Sequence, residues 1–170
     1  ASLPGTPRLH LDIRFTGSVD AIAALNEGRC LMAGFHTLRT PAADSLSART
    51  YKPLLQPGLH KLIGFATRTQ GLMVRPGNPH RIQGLADLNK AGVRFVNRAL
   101  GTGTRVLLDE LLAAEDLAAA DVRGYHDVEP SHAALAQAVA AGGASSGLGC
   151  EAVAPARGLV FAPPTAAVLH

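Results

Sequence analysis

The sequence predicts an α/β fold with a mostly parallel sheet, and three observations carry that prediction. Extended and helical segments alternate along the chain, first over residues 9–36 and again over residues 93–156. Several helices between them open on Ser, Thr or Gly directly after a strand-like run. The chain has 170 residues, 47% of them hydrophobic and 17% charged, enough for one packed core but short for two independent domains. Disorder is excluded as a global description.

Residues 9–16 read Leu, His, Leu, Asp, Ile, Arg, Phe, Thr, the alternation of a half-buried strand, and Gly17 breaks it. Ser18 then stands at a helix N-cap, Ile22 and Leu25 lie three apart, Asp20 falls in the first turn and Gly28 closes the helix. Residues 30–36 are a short apolar run, expected as a buried strand. Residues 37–60 are broken by Pro41, Pro53, Pro57 and Gly58 and read as a long connection holding one short helix. Residues 62–74 are extended with a polar middle, a pattern suited to a crossing between lobes, and Arg75-Pro-Gly-Asn-Pro79 ends them with a strong turn signal.

A short helix is expected over residues 84–90, a strand over residues 93–97 and a loop over residues 99–103. Leu107, Leu108, Leu111 and Leu112 then place a helix over residues 104–114. Residues 122–125 read as extended. Residues 131–141 read as a helix with Ala134, Leu135, Ala138 and Val139 on one side, followed by Gly143-Ala-Ser-Ser-Gly147 and the last apolar runs, Leu159-Val-Phe-Ala-Pro-Pro164 among them.

The charge balance, 16 basic against 13 acidic residues for a net +3, is far from the dense Lys/Arg stripe of a nucleic-acid surface, so no direct nucleic-acid contact is expected. Arg, Asp, Gly or Pro interrupts every apolar run before 18 residues, which excludes a membrane-spanning helix. The first residues lack the basic, apolar and small regions of a signal peptide, a pattern that leaves a mature secreted form open. Cys30 and Cys150 lie far apart in apolar segments and read as reduced core residues; two cysteines make neither a zinc site nor a disulfide scaffold.

Three turns share one design, a strand running into a loop whose Ser, Thr or Gly opens a helix: Gly17-Ser18, Gly101 to Arg105, and Pro130 to His132. A helix start carries unpaired N–H groups and about half a positive charge, so each is a place for an anion. Taken singly, Ser18 and Ser131 read as plain caps. The loop Gly101-Thr-Gly-Thr-Arg105 is more specific, because its glycines permit close backbone approach and Thr102, Thr104 and Arg105 crowd one helix start with donors. It lacks the lysine of a Walker loop, and Val106 stands where a dinucleotide loop needs its third glycine, so ATP and NAD are disfavoured and no cofactor is expected. His126, Glu129 and His132 are spaced by three, but Pro130 disrupts a common helical face, so no metal site is expected. Gly143-Ala-Ser145-Ser-Gly147 matches the bare Gly-x-Ser-x-Gly pattern without its strand-before, helix-after context, which disfavours a hydrolase.

At Val93-Arg-Phe-Val-Asn-Arg-Ala-Leu-Gly-Thr-Gly-Thr-Arg105 and the Leu-rich helix after it, the chain resembles the periplasmic-binding-protein-like domain of molybdate-binding proteins and helix-turn-helix regulators. Gly17 to Leu38, Arg68 to Pro79, Gly124 to Gly142 and Ser145 to Pro164 fit the same order, so the resemblance covers nearly the whole chain. It implies a two-lobed type II binding fold, with residues 1–71 and 152–170 as one lobe, residues 72–151 as the other, and molybdate or tungstate in the cleft. It further implies Ser18 as a donor from the first lobe, Thr102, Gly103, Thr104 and Arg105 as donors from the second, and Ser131 with His132 on the far wall. Asn97, Arg98 and Gln70 fall in hinge or supporting positions. Two departures stand out: Ser145 replaces the family's aspartate before Gly-Leu-Gly, and such folds begin with one further strand and helix before the segment that here starts at residue 9.

The expected function is therefore binding of a small oxyanion, as the effector module of a cytoplasmic regulator or as a periplasmic carrier, with a homodimer or a fused DNA-binding domain as partners. Two alternatives stay open. One is an enzyme acting on a phosphorylated small molecule with His132 or His36 as acid or base; the other is a ligand-free interaction module.

Overall fold

The computed structural model describes residues 10–38, 42–162 and 167–169. Leu9, Pro41, Pro163 and Pro164, placed by the sequence in a strand, a connection and the last apolar run, lie outside them.

One six-stranded sheet organises the chain, with strands β1 (Arg68–Val74), β2 (Phe95–Arg98), β3 (Val128–Glu129), β4 (Ser146–Cys150), β5 (Val160–Phe161) and β6 (Ala167–Leu169). Its order is β3-β2-β4-β1-β5, with β6 also on β1. β2 pairs in parallel with β3 and β4, as the alternation predicts. β1 runs antiparallel to β4, β5 and β6, which corrects the expectation of a mostly parallel sheet. The reason is connectivity: β1 reaches the sheet through the long connection rather than through a helical crossover, so nothing imposes the parallel direction on it.

Four helices surround the sheet: α1 (Ser18–Asn26), α2 (Leu46–Tyr51), α3 (Gly103–Ala114) and α4 (His132–Ala140). On one face Leu107, Leu108 and Leu112 of α3 join Leu72, Phe95 and Leu148 of the sheet in a buried cluster. On the other, Leu135, Ala136 and Val139 of α4 meet Met73 and Val96. β1 alternates between the two clusters, and this is why residues 70–74 are all buried. A third, smaller cluster joins Ile22, Tyr51 and Val106, and so ties α1 and α2 to α3.

Three expected extended elements differ in the structure. Residues 10–16 form no strand, and Leu11, Ile13 and Phe15 are exposed. Residues 30–36 form none either: Leu31 and Met32 are exposed and Cys30 is only partly buried, whereas Cys150 is buried as expected; both thiols are free. Residues 122–125 make a turn, and the expected strand begins instead at Val128. Among the described residues no helix is long and apolar enough to cross a membrane.

Candidate functional site

The parallel strands fix where the helices start. β2 and β3 run the same way and α3 and α4 follow them, so both helices begin beyond the carboxyl ends of those strands. β1, being antiparallel to β4, brings its own beginning to that end: Gln70 stands opposite Cys150, the last residue of β4. The start of α1 is drawn in as well, with Val19 N–H donating to the Gly101 carbonyl at 3.3 Å. A Cβ on Gly103 would lie 3.0 Å from Ser18 Oγ and 3.0 Å from His36 Cβ, so this position needs glycine to let α1, α3 and His36 meet.

The residues singled out from sequence divide into two groups. Ser18, Gly103, Thr104 and His132 come together. Ser18 is buried as the first helical residue, with Gly17 and not Ser18 in the N-cap position. Thr104 is buried with its hydroxyl 3.5 Å from His132 Nε2. The N–H groups of Gly103 and Thr104, at the first turn of α3, donate to no acceptor among the described residues.

Thr102, Ser131 and Arg105 are occupied with structural tasks. The Thr102 hydroxyl donates to Ala99 O at 2.8 Å and accepts from Arg105 N at 3.3 Å, the work of an N-cap. Exposed Ser131 caps α4 by accepting from Ala134 N at 3.0 Å. Arg105 is the most fully engaged of the three. Its Nε donates to both oxygens of Asp109 at 3.1 Å, and its guanidinium lies 4.1 Å over the Tyr125 ring, whose hydroxyl donates to the same carboxylate at 2.6 Å. An arginine one turn before an aspartate on the same helix finds that partner first.

Arg68 and Tyr51 have no role in the sequence reading, and Gln70 has only a hinge or supporting one. Arg68 Nη2 lies 3.2 Å from His36 Nδ1, and Arg68 pairs with no carboxylate among the described residues. Gln70 lies on the same face of β1 as Arg68 and is 0% exposed, yet neither its amide nitrogen nor its amide oxygen has a partner among the described residues. Tyr51 carries a buried, unpartnered hydroxyl; burial raises its phenol, with Ser18 pulling the other way. The polar middle of residues 62–74 was the available signal for Arg68 and Gln70. Tyr51, in a proline-broken connection, gave none.

Electrostatically the junction is cationic, and its histidines are largely buried. Burial, the Arg68 charge behind it, lowers His36 to about 4. Burial lowers His132 to about 4 as well, followed by Arg98, Arg68 and His36, and its Nδ1 is buried without a partner. Both rings are therefore neutral at pH 7. Arg98 is held by the carbonyls of Glu129 at 3.2 Å and Pro130 at 3.1 Å, which fixes its charge beside α4. Asn97 is satisfied by Tyr125 O and the Arg98 amide.

Other features of the sequence resolve into structure. Ser145 Oγ accepts from Arg94 N and Ser146 Oγ donates to Met73 O, so both serines of the Gly-x-Ser-x-Gly match stitch strands together. No group of His, Cys, Asp and Glu among the described residues has the arrangement of a metal site. A shallow depression of about 160 Å³ lies near the opposite end of β2, lined by Arg94, Asp127, Glu129 and Gly143. It holds the exposed Arg94–Asp127 ion pair at 2.8 Å and none of the helix starts.

With this geometry in place, comparison with known proteins decides the family. Residues 2–167 match the PBP superfamily domain. The chain belongs to that family. It is 35% identical over 150 residues to Uncharacterized protein YvgK of Bacillus subtilis (strain 168), an alignment covering 88% of this chain and 48% of the relative. Among solved structures it is similar to the amino acid ABC transporter substrate-binding protein AbpA from Streptococcus pneumoniae, with 14% identity, a TM-score of 0.53, and 95% and 63% of the two chains covered. A second is the ancestral amino acid-binding protein AncCDT-1, at 19% identity, a TM-score of 0.49, and 91% and 60% covered. The chain thus spans about half the length of the curated relative and under two thirds of these structures. Its fold is the two-lobed periplasmic-binding-protein-like fold.

Proposed function

We propose that the chain is a ligand-binding module that holds a small tetrahedral oxyanion, molybdate or tungstate foremost, where α1, α3 and α4 begin. Gln70 carries this reading. A fully buried amide with no partner costs about 1–3 kcal/mol, and this one stands at the end of the sheet where α3 starts, beside a cation that no carboxylate neutralises. A bound oxyanion accepts from the Gln70 amide, from Arg68 and from the free N–H groups of α3. The hydroxyls of Ser18 and Thr104 add neutral donors.

An α-amino acid, which AbpA is described as binding in the form of L-arginine, brings an ammonium group that needs an acceptor. The junction offers neutral acceptors, Gln70 Oε1 and His132 Nδ1, but no free carboxylate among the described residues: Asp109 is occupied by Arg105 and Tyr125, and Asp20 is exposed on α1. A simple oxyanion is favoured on that ground. The enzyme alternative has His36 and His132 in place, but no carboxylate orients either ring among the described residues, so binding is the better reading.

About six hydrogen bonds to a charged ligand, at about 1.5–3 kcal/mol each less the costs of closure and desolvation, leave roughly 8–12 kcal/mol, or micromolar to nanomolar affinity. The proposed division into residues 1–71 with 152–170 and residues 72–151 runs through β1, with Arg68 and Gln70 on one side and Leu72 on the other. Closure around the ligand then moves one lobe against the other and reports occupancy to an attached DNA-binding domain or a transporter. Calorimetric titration with molybdate, tungstate, sulfate and phosphate, and with L-arginine as the contrast, tests the reading. Saturable heat from at least one oxyanion is expected; heat from L-arginine alone overturns the ligand class, and heat from none overturns the proposal.

A further inference from the structure

We propose that anion capture at this junction is coupled to proton uptake: the ligand displaces the hydrogen bond from Arg68 to His36, and Arg68 together with the protonated rings of His36 and His132 then faces the negative charge. The inference deepens the oxyanion reading and rests on it.

The geometry assigns the protons. A guanidinium only donates, so the 3.2 Å contact makes His36 Nδ1 the acceptor and leaves the neutral ring with its proton on Nε2. The Nε2 side of the ring is the edge that packs on α3: a Cβ on Gly103 would lie 3.1 Å from His36 Cδ2. A second proton, on Nδ1, would set two cations face to face, so Arg68 holds His36 neutral while they are in contact. An anion placed between them separates the cations and accepts from both. His132 is poised in the same way, with Nε2 toward Thr104 and Nδ1 buried and unpartnered.

The groups around the two rings are cations, hydroxyls and one backbone acceptor, and no carboxylate among the described residues. His36 is faced by Arg68 of β1 and by the backbone of Phe35. His132 is faced by Arg98 of β2, Arg68 of β1 and His36. From α3 comes the Thr104 hydroxyl, Arg105 being turned to Asp109; α1 and α2 contribute Ser18 and Tyr51, and Glu110 acts on Tyr51 rather than on either ring. Burial and like charge keep both histidines neutral in the free protein. A dianion in their midst reverses the sign of the local field, and the rings charge by taking protons from solvent.

For each proton taken up, affinity tightens by as much as about tenfold per unit fall in pH, between the free and the bound pKa. The experiment is calorimetry of the full chain with molybdate and with sulfate, which stays a dianion throughout, from about pH 5.5 to about pH 8 in two buffers of different ionisation enthalpy. Uptake of one to two protons is expected, with Kd falling roughly 10- to 100-fold per pH unit between the free and the bound pKa; His36→Gln and His132→Gln each lower the proton count and flatten that slope. An NMR titration of the wild-type histidine Cε1–H signals gives an independent readout, expected to move to the protonated position on saturation with sulfate at pH 7. Binding with a constant Kd, no buffer-dependent heat and unmoved histidine signals overturns the coupling and leaves the oxyanion reading standing. No heat from either anion at any pH removes both.

Discussion

β1 and residues 10–16 are both alternating or extended apolar segments, yet one is the most buried strand of the sheet and the other is not a strand at all. β1 has partners on both sides, β4 on one and β5 with β6 on the other, and so satisfies its backbone while burying Leu72 and Met73 on opposite faces. Residues 10–16 pair with no strand among the described residues; Phe15 stays 97% exposed, as do Leu31 at 97% in residues 30–36 and Phe65 at 98% just before β1. The difference teaches that alternation supplies only the side-chain half of a strand. The other half is a neighbour that can take the backbone hydrogen bonds.

Substitutions sharpen the contrast, and the largest effect is expected in the sheet's surroundings. Gly124 has φ +90 and lies against β2, where a Cβ would overlap the carbonyl oxygen of Phe95. Gly124→Ala therefore combines an unfavourable backbone conformation with a clash against backbone that cannot swing away. A loss above about 3 kcal/mol, read as early unfolding in a urea titration, is expected. Next comes a paired test. Leu72→Ala should cost about 2–5 kcal/mol as a core cavity, and Phe65→Ser less than about 0.5 kcal/mol as a surface change. A Phe65→Ser loss comparable to that of Leu72→Ala would break the comparison, because it would mean that residues 59–67 are covered in solution.

The parts legible in the sequence are those whose structure is decided locally. α1, α3 and α4 announce themselves through helical spacing and through Thr102 and Ser131 acting as caps; Gly103 and Thr104 were singled out from the glycine-rich loop alone. The illegible parts depend on what lies across space. Residues 10–16 and 30–36 carry strand patterns but find no partner, and β1 turned out antiparallel because its connection, not its composition, sets its direction. Arg105 shows the same dependence: its type suits an anion, and in the structure its Nε meets Asp109 one turn along while its guanidinium lies over Tyr125. Arg68 was visible only as a polar residue in an apolar run and Gln70 as a hinge or supporting position, and their surroundings depend on what β1 brings them next to.

A smaller effect separates the two regions by pH. His36 and His132, held at about 4 by burial first, belong to the helix junction. Their folded values lie below the ordinary 6.5 of the unfolded chain, so the unfolded state binds protons first as pH falls. Stability is full above about pH 6.5 and declines toward pH 4. Between them the loss is about 1–2 kcal/mol once their remaining solvent contact is allowed for. Urea midpoints for wild type and a His36→Gln, His132→Gln double variant check this: the wild-type midpoint should drop across that window, and the double variant's should drop less.

The meeting of three helix starts on one anion is tested most directly by amide NMR titration with molybdate at pH 7. The expected result is that the amide signals of Ser18, Gly103, Thr104 and His132 shift together along one binding curve, with the Gln70 side-chain amide moving with them. Shifts centred on Arg94, Asp127 and Gly143 at the far end of β2, with those four amides unmoved, would contradict it.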